Sequence, residues 1–243
     1  MRILLAAVLT AASTWAIAGP PAGIPPGPPP RPATVQVTGQ AKVSETPDRV
    51  YIDIGVTTQA RRSEAAASQN AARLSAVIAA VKRAAGPGAQ LTTTEYSISP
   101  QYTYPPHGTA TINGYTATNV VQVRLDDLRK IGPVLDAATQ SGSNNVQDIR
   151  FALRDEQVPR AEALREAALS ARQDAQALAD ALGLRIVRVL SVDEQGGGFV
   201  PAPRIYMQAR QLALAAPSTP VEQGTIAVNA SVTLTVEVAT AKR

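Results

Sequence analysis

Residues 113–123, NGYTATNVVQV, decide the fold of this chain. Thr, Tyr and Val dominate the stretch, as they do in β-strands, and it opens on Asn113-Gly114, which is typical of a turn. The alternation places one set of side chains on a single face: Tyr115, Ala117, Asn119, Val121 and Val123. That face is the more apolar, so we expect it to contact helices. A buried amide needs hydrogen-bond partners, and we predict that the Asn119 side chain bonds neighbouring backbone.

The segments around this strand predict a hairpin and two helices. Residues 91–102 form the outgoing arm of the hairpin and residues 111–125 the return arm, with the turn-rich stretch TYPPHGTAT between them. Apolar residues at three- and four-residue spacing predict helices over 63–85 and 127–140. The helices are expected to cover the apolar face of the sheet.

A third helix is predicted over 158–182, where Pro159 suits the first turn. Its predicted apolar stripe mixes alanine and leucine: Ala161, Leu164, Ala168, Ala171, Ala175, Leu178 and Leu182. Strands over 35–43 and 50–56 alternate polar and apolar residues, and we expect them to pair with each other. Further strands are predicted over 146–153, 184–192 and 226–238.

This order of elements predicts an α+β fold. Hairpins mixed with helical crossovers, on alternating strands, favour a mostly antiparallel sheet, or sheets, with alanine-rich helices packed on one face. Two half-sized modules divided near Gly142 are the alternative.

The two ends of the predicted domain differ from it in composition. Residues 1–18 have a basic start, an apolar core and small residues at Ala16 and Ala18, which predicts a signal sequence cleaved between Ala18 and Gly19. Residues 19–33 form a Pro/Gly-rich linker. The domain is expected over 34–240, with a long loop insertion at about 193–224. No apolar segment after the signal is long enough to span a bilayer.

Four stretches of the chain resemble the SIMPL-domain family: PDRVYIDIGV (47–56), TTEYSISPQY (93–102), INGYTATNVVQVRLDDLRKIGPVLDAATQSGSNNVQDIRFAL (112–153) and EALREAALSARQDAQALADALG (162–183). The resemblance covers about 35–238. It implies an exported α+β protein. Members are associated with oxidative-stress defence, and some assemble into large ring-like oligomers. The family has no established catalytic residues, so the resemblance implies none here.

The residues that could carry chemistry are few. The chain has no Cys and one His, His107, which Pro and Gly place at a loop tip, so we expect no catalytic site, no cofactor and no metal site. Paired acids at 126–127 and 155–156 stand where helices begin and should complement the helix dipole. Gly196-Gly197-Gly198 lacks the Lys of a phosphate-binding loop. The 23 basic and 19 acidic residues are interspersed, so nucleic-acid binding is not expected.

Exposed aromatic and apolar residues are the remaining candidates for function. The predicted surface for oligomerisation or for an envelope protein partner comprises Tyr102, Tyr104, Ile205, Tyr206 and Leu212. The sequence therefore predicts a periplasmic, non-enzymatic homo-oligomer or partner-binding protein. A hydrolase with a site assembled from distant residues and a carrier of small apolar ligands are the alternatives.

Overall fold

The computed structural model describes residues 32–106, 108–196, 199–200 and 223–241. The predicted signal sequence, the cleavage site at Ala18 and Gly19, and nearly all of the linker lie outside these residues. The strands are β1 (Thr34–Glu45), β2 (Arg49–Ala60), β3 (Gln90–Thr103), β4 (Thr111–Leu125), β5 (Asn145–Ala152), β6 (Leu184–Gln195), β7 (Phe199–Val200) and β8 (Ile226–Thr240). The helices are α1 (Ser63–Ala85), α2 (Ile131–Gln140), which a short 3₁₀ turn precedes, and α3 (Gln157–Ala181).

The described strands form two antiparallel sheets, which confirms the α+β prediction. One sheet has the order β3-β4-β2-β5, and the other has the order β1-β8-β6, with β7 also paired to β8. Residues 91–102 and 111–125 form a hairpin as predicted, since β3 pairs with β4 along nearly its whole length. The long, alternating β8 lies between β1 and β6, and its even-numbered residues from Ile226 to Val238 are all buried.

The predicted pairing of the first two strands is wrong, because β1 and β2 belong to different sheets. β1 pairs with β8, whereas β2 lies between β4 and β5. The short connection between them is held at the end of β5: the Asp48 backbone N–H donates to Ala152 O at 3.2 Å, and Asp48 Oδ1 accepts from the Arg154 backbone N–H at 2.7 Å. These bonds direct the chain into the sheet of β3, β4, β2 and β5 before β2 begins.

Helices α1 and α2 cover the sheet that contains the hairpin. The inward residues of β2 are Val50, Ile52, Ile54 and Val56, all at most 1% exposed, and they join one core with Leu74, Val77 and Val81 of α1. The inward face of β4 is the one that the alternation predicts, since Ala117, Val121 and Val123 are buried. The inward residues Ala117, Val121 and Val123 of the opening stretch therefore belong to the core.

Helix α3 covers the other sheet, and its buried stripe differs from the predicted one. The buried residues at four-residue spacing are Ala163, Ala167, Ala171, Ala175 and Ala179, whereas Leu178 and Leu182 are exposed. The cause is Gly39 in β1: a Cβ built on it would lie 2.2 Å from Ala167 O and 2.3 Å from Ala171 N. The helix backbone lies against the sheet backbone, so only small residues fit at this contact.

The structure describes a few residues at the start of the predicted insertion at 193–224. β6 continues through Gln195 and Phe199–Val200 pairs with β8, so the first part of this stretch contains strand residues. Residues 201–222, including Ile205, Tyr206 and Leu212, lie outside the described residues.

Candidate functional site

The hairpin of β3 and β4 extends beyond its neighbouring strand. β2 pairs with β4 only as far as Ala60 and Tyr115, while β3 and β4 remain paired to Thr103 and Thr111. Apolar and aromatic residues are exposed along this hairpin, and we call them the hairpin surface: Tyr96, Ile98, Tyr102, Tyr104 and Ile112. Two of the predicted surface residues, Tyr102 and Tyr104, lie there.

The end of the hairpin surface presents two tyrosine rings together. Tyr102 is 51% and Tyr104 76% exposed, and their ring centroids are 6.4 Å apart with planes tilted by 41°. Tyr102 pairs across the strands with the exposed Ile112. Tyrosine combines a large apolar ring with a hydroxyl that can still hydrogen-bond, which suits an interface that is partly wet.

The backbone of β3 limits how a partner could bind. β3 is an edge strand, but Pro100 lacks an N–H group and register shifts interrupt the strand near Thr93 and near Gln101. Proline and bulges on an edge strand hinder addition of a further strand. A partner would therefore contact the side chains of the hairpin surface rather than extend the sheet.

The paired acids at 126–127 have structural roles. Arg49 Nε donates to Asp126 Oδ1 at 2.7 Å and Arg49 Nη2 donates to Asp126 Oδ2 at 3.1 Å, while Arg154 adds an ion pair at 3.5 Å. The hydrogen bond from Arg49 is the main cause that lowers the pKa of Asp126. A general acid at neutral pH requires the opposite shift, so Asp126 serves to join β2 to the end of β4.

Asp127 and Asp155 begin helical segments, as predicted. Asp127 Oδ1 accepts from the Arg129 backbone N–H at 3.2 Å, and Asp155 Oδ1 accepts from the Gln157 backbone N–H at 2.8 Å. Both carboxylates satisfy backbone donors that lack partners within the helix. The side chain of Arg129 also bonds Asp127 and lowers its pKa.

The other chemical candidates add no reactive group. His107 lies outside the described residues, so its predicted position in solvent stays a prediction. Within the ranges that the structure describes, no three His, Asp or Glu side chains come together to hold a metal ion. The Gly196-Gly197-Gly198 stretch is described only at Gly196, which is exposed at the end of β6.

Asn119 does not make the predicted bonds. It lies on the helix-facing side of β4, opposite Val56, but its buried Oδ1 has no hydrogen-bond partner in the described part of the chain. Asn70 of α1 performs the predicted role instead: its Nδ2 donates to Val56 O at 2.7 Å and to Ala117 O at 3.0 Å. The spacing of Asn70 with Ala66 and Leu74, the buried residues on either side, could have indicated it.

The geometry thus defines a class of protein: two antiparallel sheets with helix layers, an exposed aromatic hairpin, and acids engaged in structure. No helix among the described residues is both long and apolar enough to cross a membrane. Residues 35–236 match the SIMPL family model, described as "Protein of unknown function (DUF541)", and the chain belongs to this family.

Three curated relatives resemble the chain over most of its length. The "26 kDa periplasmic immunogenic protein" of Brucella melitensis is 29% identical over 212 residues, which are 85% of each chain. The "Uncharacterized protein YggE" of Edwardsiella ictaluri is 27% identical over 72% of this chain and 73% of its own. The "Uncharacterized protein YggE" of Escherichia coli K12 is 24% identical over 79% of this chain and 78% of its own.

Proposed function

We propose that this protein is an exported, non-enzymatic envelope protein that acts through oligomerisation or through binding of an envelope partner at the hairpin surface. The single observation that carries the proposal is the pair of exposed rings, Tyr102 and Tyr104, on a two-stranded extension. The proposed location is the periplasm. A relative that is named periplasmic and matches 85% of the chain supports this location, and so does the signal pattern over residues 1–18.

Burial of the hairpin surface would contribute favourable free energy to a contact. A tyrosine side chain can bury about 150–250 Å², and about half of each ring is available here. At about 25 cal/mol per Å², burying half of one ring contributes about 2–3 kcal/mol as an upper estimate. Tyrosine is enriched among the residues that dominate interface energies, and Ile112, which pairs with Tyr102 across the strands, adds apolar area beside the two rings. Oxidative-stress defence is the proposed context, and its support is the family resemblance alone.

Mass measurement in solution tests this proposal. We expect the mature chain, beginning at Gly19, to elute as one discrete species of several chains in size-exclusion chromatography with light scattering. The double substitution Tyr102→Ser and Tyr104→Ser should reduce that mass to one chain. Val158→Ser is the matched control, because Val158 is equally exposed but lies at the start of α3.

Partner binding is distinguished from self-assembly by cross-linking in the periplasm. If the wild-type chain is monomeric, a defined cross-linked partner that the double substitution removes would support the binding form of the proposal. A monomer without such a partner, or an oligomer that the double substitution leaves intact, would contradict the role of the hairpin surface.

A further inference from the structure

A groove lies between α3 and β6, on the side of the β1-β8-β6 sheet that α3 covers. α3 packs more extensively on β1 and β8 than on β6, so the inward side chains of β6 are only partly covered. Val189 and Val192 pair with Val236 and Leu234 of β8 and yet remain 54% and 61% exposed. The groove between them and the helix has a volume of about 420 Å³, which falls within the roughly 300–1,000 Å³ of small-molecule sites.

The floor of the groove is apolar, and its helical wall is polar. Val232, Leu234 and Val236 of β8 form the floor. The wall consists of one side of α3, where Ala168, Arg172 and Gln176 follow at four-residue spacing. The small Ala168 leaves the floor accessible beside the helix. A ligand in this groove would therefore contact hydrocarbon below and polar groups on one side.

Arg172 gives the groove a positive charge that no described residue neutralises. The other two arginines of α3 are paired: Arg160 with Glu194 at 2.8 Å, and Arg165 with Glu162. At the rim, Arg188 is paired with Glu237 at 2.7 Å, and Gln176 Nε2 donates to Asp180 Oδ1 at 2.8 Å. Arg172 has no carboxylate partner among the described side chains, so the groove combines an apolar floor with one available guanidinium group.

We propose that this groove binds a single-chain amphiphile with a carboxylate head, whose chain lies on the floor formed by Val232, Leu234 and Val236 and whose head pairs with Arg172. A guanidinium group binds a carboxylate through two parallel hydrogen bonds. One groove of this volume with one free cation matches one chain and one negative charge. Such a site is independent of the hairpin surface, which lies on the other sheet.

Calorimetric titration of the mature protein with dodecanoate tests the proposal, below the critical micelle concentration of the ligand. Dodecyltrimethylammonium has the same chain and the opposite charge, and it should bind more weakly. Arg172→Gln should weaken dodecanoate binding by about fivefold, the upper effect of an exposed ion pair, and should leave dodecyltrimethylammonium binding unweakened. Arg165→Gln is the matched control on the same helix and should bind dodecanoate like the wild type.

The apolar contribution of β6 to the groove is tested separately. Val192→Ser should weaken the binding of both amphiphiles, and circular dichroism must show the wild-type fold for this variant and for Arg172→Gln. If either variant is unfolded, competition between the two amphiphiles for the wild-type protein tests the proposal instead. The proposal requires that dodecanoate binds more tightly than dodecyltrimethylammonium.

Three results would overturn the proposal. The first is the absence of saturable dodecanoate binding to the wild-type protein. The second is equal binding of the two amphiphiles with no effect of Arg172→Gln. The third is a concentration-dependent dimer that Val192→Ser dissociates and that dodecanoate does not disturb, because a second copy would then occupy the groove.

Discussion

Substitution of Gly39 by alanine should lower the free energy of unfolding by about 3 kcal/mol, although it adds only one methyl group. The methyl carbon would lie 2.2 Å from Ala167 O, 2.3 Å from Ala171 N and 2.9 Å from Ala171 Cα. All three are backbone atoms of α3, so no side-chain rotation can relieve the overlap. The Gly39 backbone itself is not in the left-handed region, so the effect is steric and not conformational.

The size of the effect follows from the movement that α3 must make. Ordinary contact begins at 3.4 Å, against 2.2 Å for the built methyl group, so the helix must withdraw by about 1.2 Å. A gap of about 0.5–1 Å already forfeits a quarter to a half of the dispersion energy of a contact. Overpacking of a core typically costs about 1–3 kcal/mol, and the five buried alanines of α3 move together, which places the estimate at the upper end.

Urea denaturation followed by far-ultraviolet circular dichroism measures this change. Gly88→Ala is the matched control, because a Cβ on Gly88 meets no described atom within 4 Å and its φ is not positive. That variant should stay within about 0.5 kcal/mol of the wild type. A Gly39→Ala protein as stable as Gly88→Ala would refute the close contact between α3 and β1.

Three further predictions concern single sites. Asn70→Ala should destabilise the protein by about 2 kcal/mol, since two buried carbonyl groups lose the Nδ2 donor of Asn70. The buried Oδ1 of Asn119, like that of Asn70, has no partner in the described chain, so Asn119→Ala should have a much smaller effect in the same denaturation assay. The lowered pKa of Asp126 means that its pairing with Arg49 stabilises the fold fully above the ordinary carboxyl pKa of 3.8, and that this contribution is lost as the pH falls through the lowered pKa. Asp126→Asn should therefore reduce the loss of stability on acidification, measured as the free energy of unfolding over a pH series. An unchanged pH profile would contradict this role of Asp126. The N-terminal sequence of the protein from the periplasmic fraction should begin at Gly19, and a periplasmic chain that still begins at Met1 would contradict the predicted cleavage.

The sequence predicts the strands and helices well because their local patterns are strong. α1 and β4 have the predicted bounds, Ser63–Ala85 and Thr111–Leu125, and the alternation in β4 indicates its buried face correctly. Strand pairing is less predictable, because it depends on contacts that are distant in sequence. Nothing in the local pattern of β1 shows that its partner is β8, nor that Asp48 is bonded to the end of β5.

The candidate site could be predicted in part, because the turn at the end of the hairpin also has a strong local pattern. Tyr102 and Tyr104 are exposed at the end of the hairpin, where Pro105, Pro106 and Gly108 indicate a turn at the surface. The identity of the residue that holds α1 on the strands could not be inferred from hydropathy alone. An asparagine within an apolar stripe is usually read as a break in the pattern, whereas Asn70 is fully buried because two strand carbonyl groups accept from it.

The leucines of α3 show why a hydrophobic stripe can mark the wrong side of a helix. Burial gains more from leucine than from alanine, so periodicity analysis places Leu178 and Leu182 towards the sheet. Contact between the backbones of α3 and β1 at Gly39 reverses this order, since only small residues fit there. The larger apolar residues must then lie on the flanks of the helix. α3 therefore lies close to β1 and β8 and leaves the inward face of β6 partly uncovered, so the tight alanine contact and the adjoining open groove follow from the same position of the helix.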